Sequence, residues 1–287
     1  MIPVVKAPNP AEEHSRPLTI IQPSRRWFSL GLRELWQYRD LLYFLAWRDV
    51  KVRYKQTLLG VAWAVVQPLL TMVLFSVVFG RLAGISSDGL PYPLFAFAAL
   101  LPWQLFSYAL TNSANSLVAN ERLISKVYFP RLIIPISSTL AGLVDFVVSF
   151  FILLILMAYF GIMPTIAIIT LPFFILLALL SAFAVGLWLS ALNVLYRDVR
   201  YTLNFLTQIW LFATPIAYPS SMIPEQWRVL YALNPMAGVV EGFRWALLGT
   251  TGNVGGLVAI STVAVLVLLV GGLVYFRRME RTFADTI

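Results

Sequence analysis

The chain has 287 residues, of which 60% are apolar and only 12% are charged. Ordinary soluble domains are roughly 45–50% apolar and about 25% charged. A soluble domain of this length cannot bury so much apolar surface, so the composition excludes a water-soluble globular protein and predicts one embedded in lipid. Cysteine is absent and His14 is the only histidine, which excludes disulfides, thiolate metal sites and a histidine relay in the membrane. The net charge of +8 does not indicate nucleic-acid binding, because the basic residues are dispersed among apolar ones.

The N-terminal part of the chain divides into two stretches. Residues 1–24 are polar, hold five prolines and lack an apolar core, which excludes a signal peptide and predicts a flexible cytoplasmic arm. Residues 25–58 repeat leucine and tryptophan at helical spacing among arginines and lysines. That pattern is typical of an amphipathic helix lying in the membrane interface. Two roles stay open for it: a simple anchor for the first span, or a docking surface for a cytoplasmic partner.

Six apolar stretches follow, and most reach the roughly 20 residues needed to cross ~30 Å of hydrocarbon. We predict an all-α membrane protein whose six spans lie at 61–80, 92–117, 132–160, 165–195, 201–218 and 255–276. The stretch 201–218 is the shortest and contains Asn204, Gln208 and Pro215. We therefore expect it to face protein rather than lipid.

The basic residues fix the predicted orientation. When the connections are assigned to alternate sides, eighteen of the 21 lysines and arginines fall on one side, and only Arg81, Arg228 and Arg244 fall on the other. Cytoplasmic connections carry such an excess of positive charge. Both termini are therefore predicted to be cytoplasmic, and the anionic lipid headgroups are a second partner for the basic side.

A short charged segment at 120–130, NERLISKVYFP, lies between the second and third spans. Asn120 suits the N-cap of a helix, while Glu121 and Lys126 complement the two ends of its dipole. The segment is either an ordinary cytoplasmic loop or a coupling helix that contacts a partner.

The external connection 219–251 holds an apolar run of about 13 residues that is too short to span. Asn234 is placed to cap this run, Pro235 to open it and Gly249 to end it. A re-entrant helix pair between spans five and six fits best, and a single helix outside the membrane is the alternative. Glu241 and Arg244 lie three residues apart and are expected to neutralise each other.

Asp145 is the only acidic residue predicted to lie deep in a span. A charge there costs at least ~2.5–3.5 kcal/mol, so we expect a partner from a neighbouring helix or a wet cavity on a translocation path.

Aromatic residues make up 14% of the chain and cluster towards spans two and five. Most belong to an interfacial belt or to lipid-facing packing. Those that share a face with amide side chains are candidates to line a pore for a sugar polymer, which needs flat apolar surfaces beside hydrogen-bonding groups. These candidates are Trp103, Phe106, Tyr108, Phe205, Trp210, Phe212 and Tyr218.

Several motifs are missing from the sequence. There is no G-x-x-x-x-G-K-[ST] phosphate loop, no G-x-S-x-G elbow, no H-E-x-x-H and no acidic diphosphate motif. The chain is therefore not expected to bind ATP by a phosphate loop or to be an enzyme. The two halves show no inverted repeat with paired broken helices, which argues against a secondary transporter.

Three segments, in order, resemble the membrane subunits of ABC-2-type polysaccharide exporters. They are RYKQTLLGVAWAVVQPLL at 53–70, NVLYRDVRYTLNFLTQIWLFATPIAYP at 193–219 and ALNPMAGVVEGFRWALLG at 232–249. Within them Arg197 and Asp198 match the family's R-D turn, Pro215 matches its T-P-I-x-Y motif and Asn234-Pro235 matches its N-P helix start. The resemblance covers about residues 48–280.

The resemblance implies a homodimeric permease paired with two copies of a separate ATPase chain, which binds the ATP and magnesium. The cargo is a glycan on undecaprenyl diphosphate, and O-antigen for lipopolysaccharide biosynthesis is the leading candidate. The expected location is the bacterial inner membrane. Residues 59–280 correspond to the transmembrane domain and 281–287 to a cytoplasmic tail.

The resemblance also assigns roles to two sets of residues. The coupling helix places Glu121, Arg122, Lys126 and Tyr128 against the ATPase. The basic residues expected to face the lipid diphosphate are Arg48, Lys51, Arg53 and Lys55.

Two other functions stay open. One is a permease of the same superfamily for teichoic acid, capsule, lipid or drug export. The other is a membrane transferase acting on polyprenyl substrates, which needs carboxylate clusters at the membrane surface. The nearest acidic pair, Glu12-Glu13, lies in the predicted arm.

Overall fold

The computed structural model describes residues 32–55, 60–250, 254–280 and 282–283. Within these ranges every regular element is a helix and there is no strand, as predicted. The predicted arm 1–24, residues 25–31 and 56–58 of the predicted interface helix, and most of the tail 281–287 lie outside them. The helices are α1 (Leu32–Gln37), α2 (Arg39–Lys55), α3 (Gly60–Phe75), α4 (Tyr92–Ala119), α5 (Glu121–Lys126), α6 (Ile133–Leu140), α7 (Leu143–Tyr159), α8 (Leu171–Leu195), α9 (Val199–Phe212), α10 (Glu225–Ala232), α11 (Pro235–Leu248) and α12 (Val254–Met279).

Five segments of the described chain are long and apolar enough to cross a membrane: Ala62–Leu82, Tyr92–Ala119, Ile133–Tyr159, Ile166–Leu195 and Val254–Met279. They coincide with five of the six predicted spans. The sixth prediction, 201–218, contains α9, which has 14 residues and is followed by an irregular segment. The helix α9 is therefore too short by itself to be identified as a membrane span.

Several of these segments are irregular helices. The first ends in a π-helical turn over Ser76–Leu82, and the fourth begins with a 3₁₀ turn over Ile166–Thr170. The third consists of α6 and α7 with a turn at 141–142 between them. Gly142 stands at this turn, where a Cβ atom would lie 2.6 Å from Cδ1 of Tyr108. Only glycine lets α4 approach this closely.

The long helix α4 is the centre of the bundle. Its 28 residues extend about 42 Å at ~1.5 Å per residue, and most of its side chains are buried. The first turn of α4 contacts α11, since Arg244 donates to the carbonyl of Phe95. Its last residues meet α2 and α5 through a hydrogen bond between Arg48 and Asn120. We call these two ends of the bundle the α11 end and the α5 end.

The other long helices run between the same two ends. At the α11 end, Thr165 before α8 donates to the carbonyl of Ala246 in α11 at 3.0 Å. Towards the α5 end, Asn193 in the last turn of α8 donates to the carbonyl of Ala114 in α4. The helix α12 finishes at the α5 end, where Glu280 hydrogen-bonds Arg131. The helices α4 and α8 therefore run in the same direction, from the α11 end to the α5 end, and the α6–α7 segment between them runs back.

Candidate functional site

The helix α5 presents a polar face at the α5 end. Its inner side is apolar, since Ile124 is buried and Phe129, just beyond the helix, is buried in the same cluster as Leu45 of α2. Burial of these two side chains holds the helix on the bundle. The outer side carries the predicted coupling residues Glu121, Arg122 and Lys126, and Tyr128 follows just beyond the helix; all four are exposed.

Asn120 does not cap α5, so this part of the prediction is wrong. The helix begins directly after Asn120, but the side chain makes no capping hydrogen bond. Its Oδ1 instead accepts from Arg48 Nη2 at 2.9 Å, and its Nδ2 donates to the carbonyl of Ser116 at 2.8 Å. Asn120 therefore joins α2 to the junction of α4 and α5.

The end of α12 holds the segment after α5 from the other side. The backbone amide of Arg131 donates to Glu280 Oε1 at 3.3 Å, and the Arg131 guanidinium hydrogen-bonds the carbonyl of Glu280. The ring of Phe283 is fully buried and packs edge-on against Phe276, with ring centroids 5.3 Å apart. Both α2 and α12 are thus connected to the α5 segment.

The helix pair α1 and α2 covers the described part of the predicted interface helix. One side of α2 packs on α6, and its buried residue is Leu45. The opposite side is rich in exposed aromatic residues, with Arg39 over the ring of Trp36 and Lys51 over the ring of Trp47. Aromatic rings beside basic groups are typical of helices at the membrane–water interface.

The four basic residues assigned to the lipid diphosphate do not share one surface. Lys51 and Lys55 are exposed. Arg48 binds both Asp49, at 2.8 Å, and Asn120. Arg53 pairs with Asp145 at 2.5 Å. Arg48 and Arg53 therefore bind other side chains of this chain, whereas Lys51 and Lys55 are exposed and able to contact an anion.

Asp145 has the partner that its charge requires. Its carboxylate pairs with Arg53 and accepts a hydrogen bond from the hydroxyl of Tyr54, both from the end of α2. Burial and this carboxylate raise the pKa of the Tyr54 phenol. Asp145 lies in the first turn of α7, just after the turn at 141–142, where the end of α2 reaches it.

The predicted channel aromatics fall into separate groups. Trp103, Phe106 and Trp210 pack together, with ring centroids 5.3 Å and 5.0 Å apart, and Phe106 is fully buried. Tyr108 lies under the Arg53 guanidinium, 4.4 Å from it. The two that project freely from α9 are Phe205 and Phe212, which are 65% and 58% exposed.

Tyr218, the remaining channel candidate, lies in the irregular segment beyond α9. Its half-buried hydroxyl donates to the carbonyl of Phe212 at 3.1 Å and accepts from the hydroxyl of Tyr231 at 3.2 Å. It links this segment to α10. The Arg197-Asp198 turn lies at the opposite end of α9, where both side chains are exposed and the Asp198 carbonyl accepts from the first amides of the helix.

Side chains satisfy the backbone of the irregular segment 213–217. Asn234 donates to the carbonyl of Ala213 at 3.0 Å, and Tyr92 donates to the carbonyl of Ala217 at 2.6 Å. Arg244 donates to the two carbonyls between them, those of Pro215 at 2.5 Å and Ile216 at 2.8 Å. Four carbonyls of this irregular segment are therefore satisfied by side chains from other parts of the fold.

Arg244 is the centre of this arrangement. Its side chain is fully buried, packs 3.5 Å over the ring of Phe95 and pairs with Glu241 at 3.2 Å. The predicted pairing with Glu241 is confirmed. The sequence had not indicated that the same guanidinium also holds the carbonyls of the T-P-I motif.

The predicted boundaries of α11 are confirmed. Asn234 Oδ1 accepts from the amide of Met236 at 3.0 Å, Pro235 opens the helix, and Gly249 ends it with a φ of 67°. The same Oδ1 accepts from Trp210 Nε1 at 2.8 Å. Asn234 therefore caps α11 and connects it to α9 at once.

Residues 40–248 match a family model described as ABC-2 type transporter. The chain belongs to the ABC-2 type transporter family. The matched range runs from α2 to the last residue of α11. It therefore contains both helix α5, with its exposed charged face, and the irregular segment 213–217 after α9. The resemblance inferred from three sequence motifs is confirmed.

Individual relatives are similar to this chain over almost their whole length. The chain is 32% identical over 260 residues to the O-antigen export system permease protein RfbA of Myxococcus xanthus, covering 89% of this chain and 98% of the relative. It is 29% identical over 249 residues to RfbA of Klebsiella pneumoniae, covering 86% and 95%. It is 26% identical over 243 residues to the polysialic acid transport protein KpsM of Escherichia coli, covering 81% and 91%.

Proposed function

We propose that this chain is the permease subunit of an ATP-driven exporter that moves a polysaccharide across the bacterial inner membrane. The observation that carries the proposal is the nearly full-length similarity to permeases named for O-antigen export. The cargo we propose is O-antigen linked to undecaprenyl diphosphate. In this role the chain forms a pore and carries out no chemical reaction itself.

The proposed topology has six crossings and both termini in the cytoplasm. The crossing added to the five segments is the fifth in chain order, and it consists of α9 and the irregular segment after it, because residues 199–218 lead from the end of α8 towards α11. The helices α10 and α11 form a re-entrant pair at the outer side, supported by the satisfied backbone at 213–217. The helices α1 and α2 lie in the inner interface, where Lys51 and Lys55 are exposed to the lipid diphosphate.

The α5 surface is the proposed docking site for the ATPase. Supporting this is its combination of an exposed charged face and a buried apolar anchor, which suits a contact that transmits force. Two ATPase copies bind ATP and magnesium, because this sequence lacks a phosphate loop. Movement of α5 passes to α2 through Asn120 and Arg48, and to α12 through Arg131 and Glu280.

The exposed side of α9 is the proposed wall of the channel between two copies of the chain. It mixes aromatic and amide groups, such as Phe205, Asn204 and Gln208, a composition unsuited to contact with lipid. Aromatic faces beside amides suit a hydroxyl-rich polymer. Because such a polymer is longer than the bilayer is thick, stepwise movement along a continuous channel fits better than enclosure in one cavity.

Deleting the gene in its host tests the proposal. We expect lipid-linked polymer to accumulate on the cytoplasmic side and surface polymer to be lost, with both restored by the intact gene. The purified permease should also copurify with an ATPase whose activity rises with lipid-linked glycan and not with free lipid. Normal surface polymer in the deletion strain would contradict the proposal.

A capsular polysaccharide is the second candidate cargo, favoured by the similarity to KpsM. The chemical identity of the polymer that accumulates in the deletion strain decides between the two. Capsular polymer inside the cell, with O-antigen still displayed at the surface, would replace the first candidate.

A further inference from the structure

A cavity of about 300 Å³ lies at the α11 end of the bundle, between α10, α11 and the first turns of α12. The turn before α4 and the segment before α10 also border it, and the two are joined where Ser221 donates to Asp88 Oδ1 at 3.2 Å. Its volume is at the lower end of the ~300–1,000 Å³ typical of small-molecule sites. Among the described residues of its lining, none belongs to the α5 surface or to α9, so the roles proposed above do not explain it.

Two oxygen atoms of the lining residues lack the hydrogen bonds that their burial requires. Glu241 is only 8% exposed, and its bonds from Arg244 and from the amide of Ser220 both go to Oε1. Its Oε2 accepts no hydrogen bond from any described residue. The Oγ1 atom of Thr250 is buried and has no partner in the described part of the chain either. Since buried polar atoms are normally paired, these two acceptors indicate a ligand that donates hydrogen bonds.

Charged groups of both signs lie at the rim of the cavity. Asp88 is exposed, and Ser221 engages only one of its carboxylate oxygens. The Arg228 side chain is 51% exposed and pairs with Glu225 at 3.4 Å, while its Nη2 has no partner among the described residues. A carboxylate and a guanidinium at one rim match a ligand that carries one positive and one negative group.

The apolar part of the lining belongs to a candidate membrane span. Val254, Leu257 and Ile260 all come from α12. On the opposite wall, α10 buries only Ala232 among its residues and exposes Trp227 beside aliphatic side chains. Such a face is typical of a helix at the membrane–water interface. A ligand held here therefore has a polar end in the cavity and hydrocarbon along α12, as a lipid does.

We propose that this cavity binds the headgroup of phosphatidylethanolamine, an outer-leaflet lipid in the proposed topology. The ammonium group donates to Asp88, Glu241 and Thr250, and the phosphate accepts from Arg228. Phosphatidylcholine does not fit, because its methylated ammonium has no hydrogen to donate to the two unpaired oxygens. The bound lipid joins the α10–α11 pair to α12. The inference goes beyond the export function and does not depend on which polymer is carried.

Two isosteric variants test the site, Asp88→Asn and Thr250→Val. Asparagine keeps an acceptor for Ser221 and tolerates the φ of 53° at position 88. Valine keeps the β-branched shape and removes no hydrogen bond between described residues. Both variants are therefore expected to unfold as the wild type does. The matched control is Asp40→Asn, since Asp40 lies in α2, is 94% exposed and is outside the cavity lining.

Dissociation constants are measured by native mass spectrometry of the full-length permease, titrated with dioleoyl phosphatidylethanolamine or dioleoyl phosphatidylcholine. The two lipids share their chains and their phosphate and differ only in the ammonium. We expect the wild type to prefer phosphatidylethanolamine by at least about tenfold. Each cavity variant should weaken that lipid by about three- to tenfold, the loss associated with one hydrogen bond, and leave phosphatidylcholine unchanged. The control should match the wild type with both lipids.

Three results would overturn the inference: equal binding of the two lipids by the wild type, unchanged affinity for phosphatidylethanolamine in either cavity variant, or an equal loss for both lipids. Glycerophosphoethanolamine, which has the headgroup without the chains, should compete only weakly. If it bound as tightly as the lipid, the site would belong to a soluble ligand and not to a membrane lipid. All of these results are independent of export, which the deletion strain tests.

Discussion

Replacing Arg244 with methionine should strongly destabilise the fold, because this buried guanidinium has no substitute. Methionine keeps most of the length and the packing on Phe95 but none of the donors. The variant leaves the carboxylate of Glu241, only 10% exposed, without its partner, and it frees the carbonyls of Pro215 and Ile216.

The magnitude follows from these losses. Removing one member of a buried ion pair costs about 3–5 kcal/mol in unfolding free energy. Each carbonyl left unpaired adds ~1–3 kcal/mol unless water or a backbone shift satisfies it. Because the membrane-inserted unfolded state also finds polar partners, we expect a total near the lower range, about 3–5 kcal/mol.

The assay is reversible unfolding of the purified protein in mixed micelles by increasing amounts of SDS, followed by tryptophan fluorescence. The control is Arg228→Met, which removes an exposed pair with Glu225 at 3.4 Å and should change the unfolding free energy by about 0–1 kcal/mol. Adding Glu241→Gln to Arg244→Met should recover part of the loss, since it removes the unpaired charge. An Arg244→Met loss no larger than that of Arg228→Met would refute the reasoning.

Three further predictions concern the α5 surface, the α9 face and the contact of α11 with α8. The double variant of Glu121→Ala and Arg122→Ala should abolish transport-coupled ATP hydrolysis in the reconstituted complex without changing the unfolding curve of the permease; retained coupling would contradict the assignment. Phe205→Ala should slow polymer export, measured as surface polymer per cell, while copurification with the ATPase stays intact, and unaltered export would remove it from the channel. Gly242→Ala should destabilise the permease by roughly 1–3 kcal/mol in the micelle assay, since its Cβ would lie 2.1 Å from Cε1 of Phe174, and Phe174→Leu should relieve the clash.

Local patterns in the sequence were sufficient where the deciding interaction lies within a few residues. The apolar lengths placed five helices of the described chain at the predicted spans. Asn234, Pro235 and Gly249 set the boundaries of α11, because caps act on backbone groups of the adjacent turn. The Glu241–Arg244 pair follows from helical spacing alone.

The same reasoning failed where a distant group competed for a side chain. Asn120 had the composition of a cap, yet Arg48, 72 residues earlier, takes its amide oxygen. Asp145 needed a partner, but only the packing of α2 against the start of α7 shows that this partner is Arg53. Phe106 and Phe205 were both predicted to line the channel. In the structure Phe106 is fully buried, whereas Phe205 is 65% exposed.

By itself, then, the sequence determined the class of the protein, most of its membrane helices and the ends of α11, because hydrophobic length and capping depend on near neighbours. The tertiary structure decided how Arg244 satisfies the carbonyls of the T-P-I motif 28 and 29 residues away. It also decided which polar residues of α10 and α11 share a cavity. Such pairings depend on how the helices rotate and cross, and the rotation of each helix is fixed only when its neighbours pack against it.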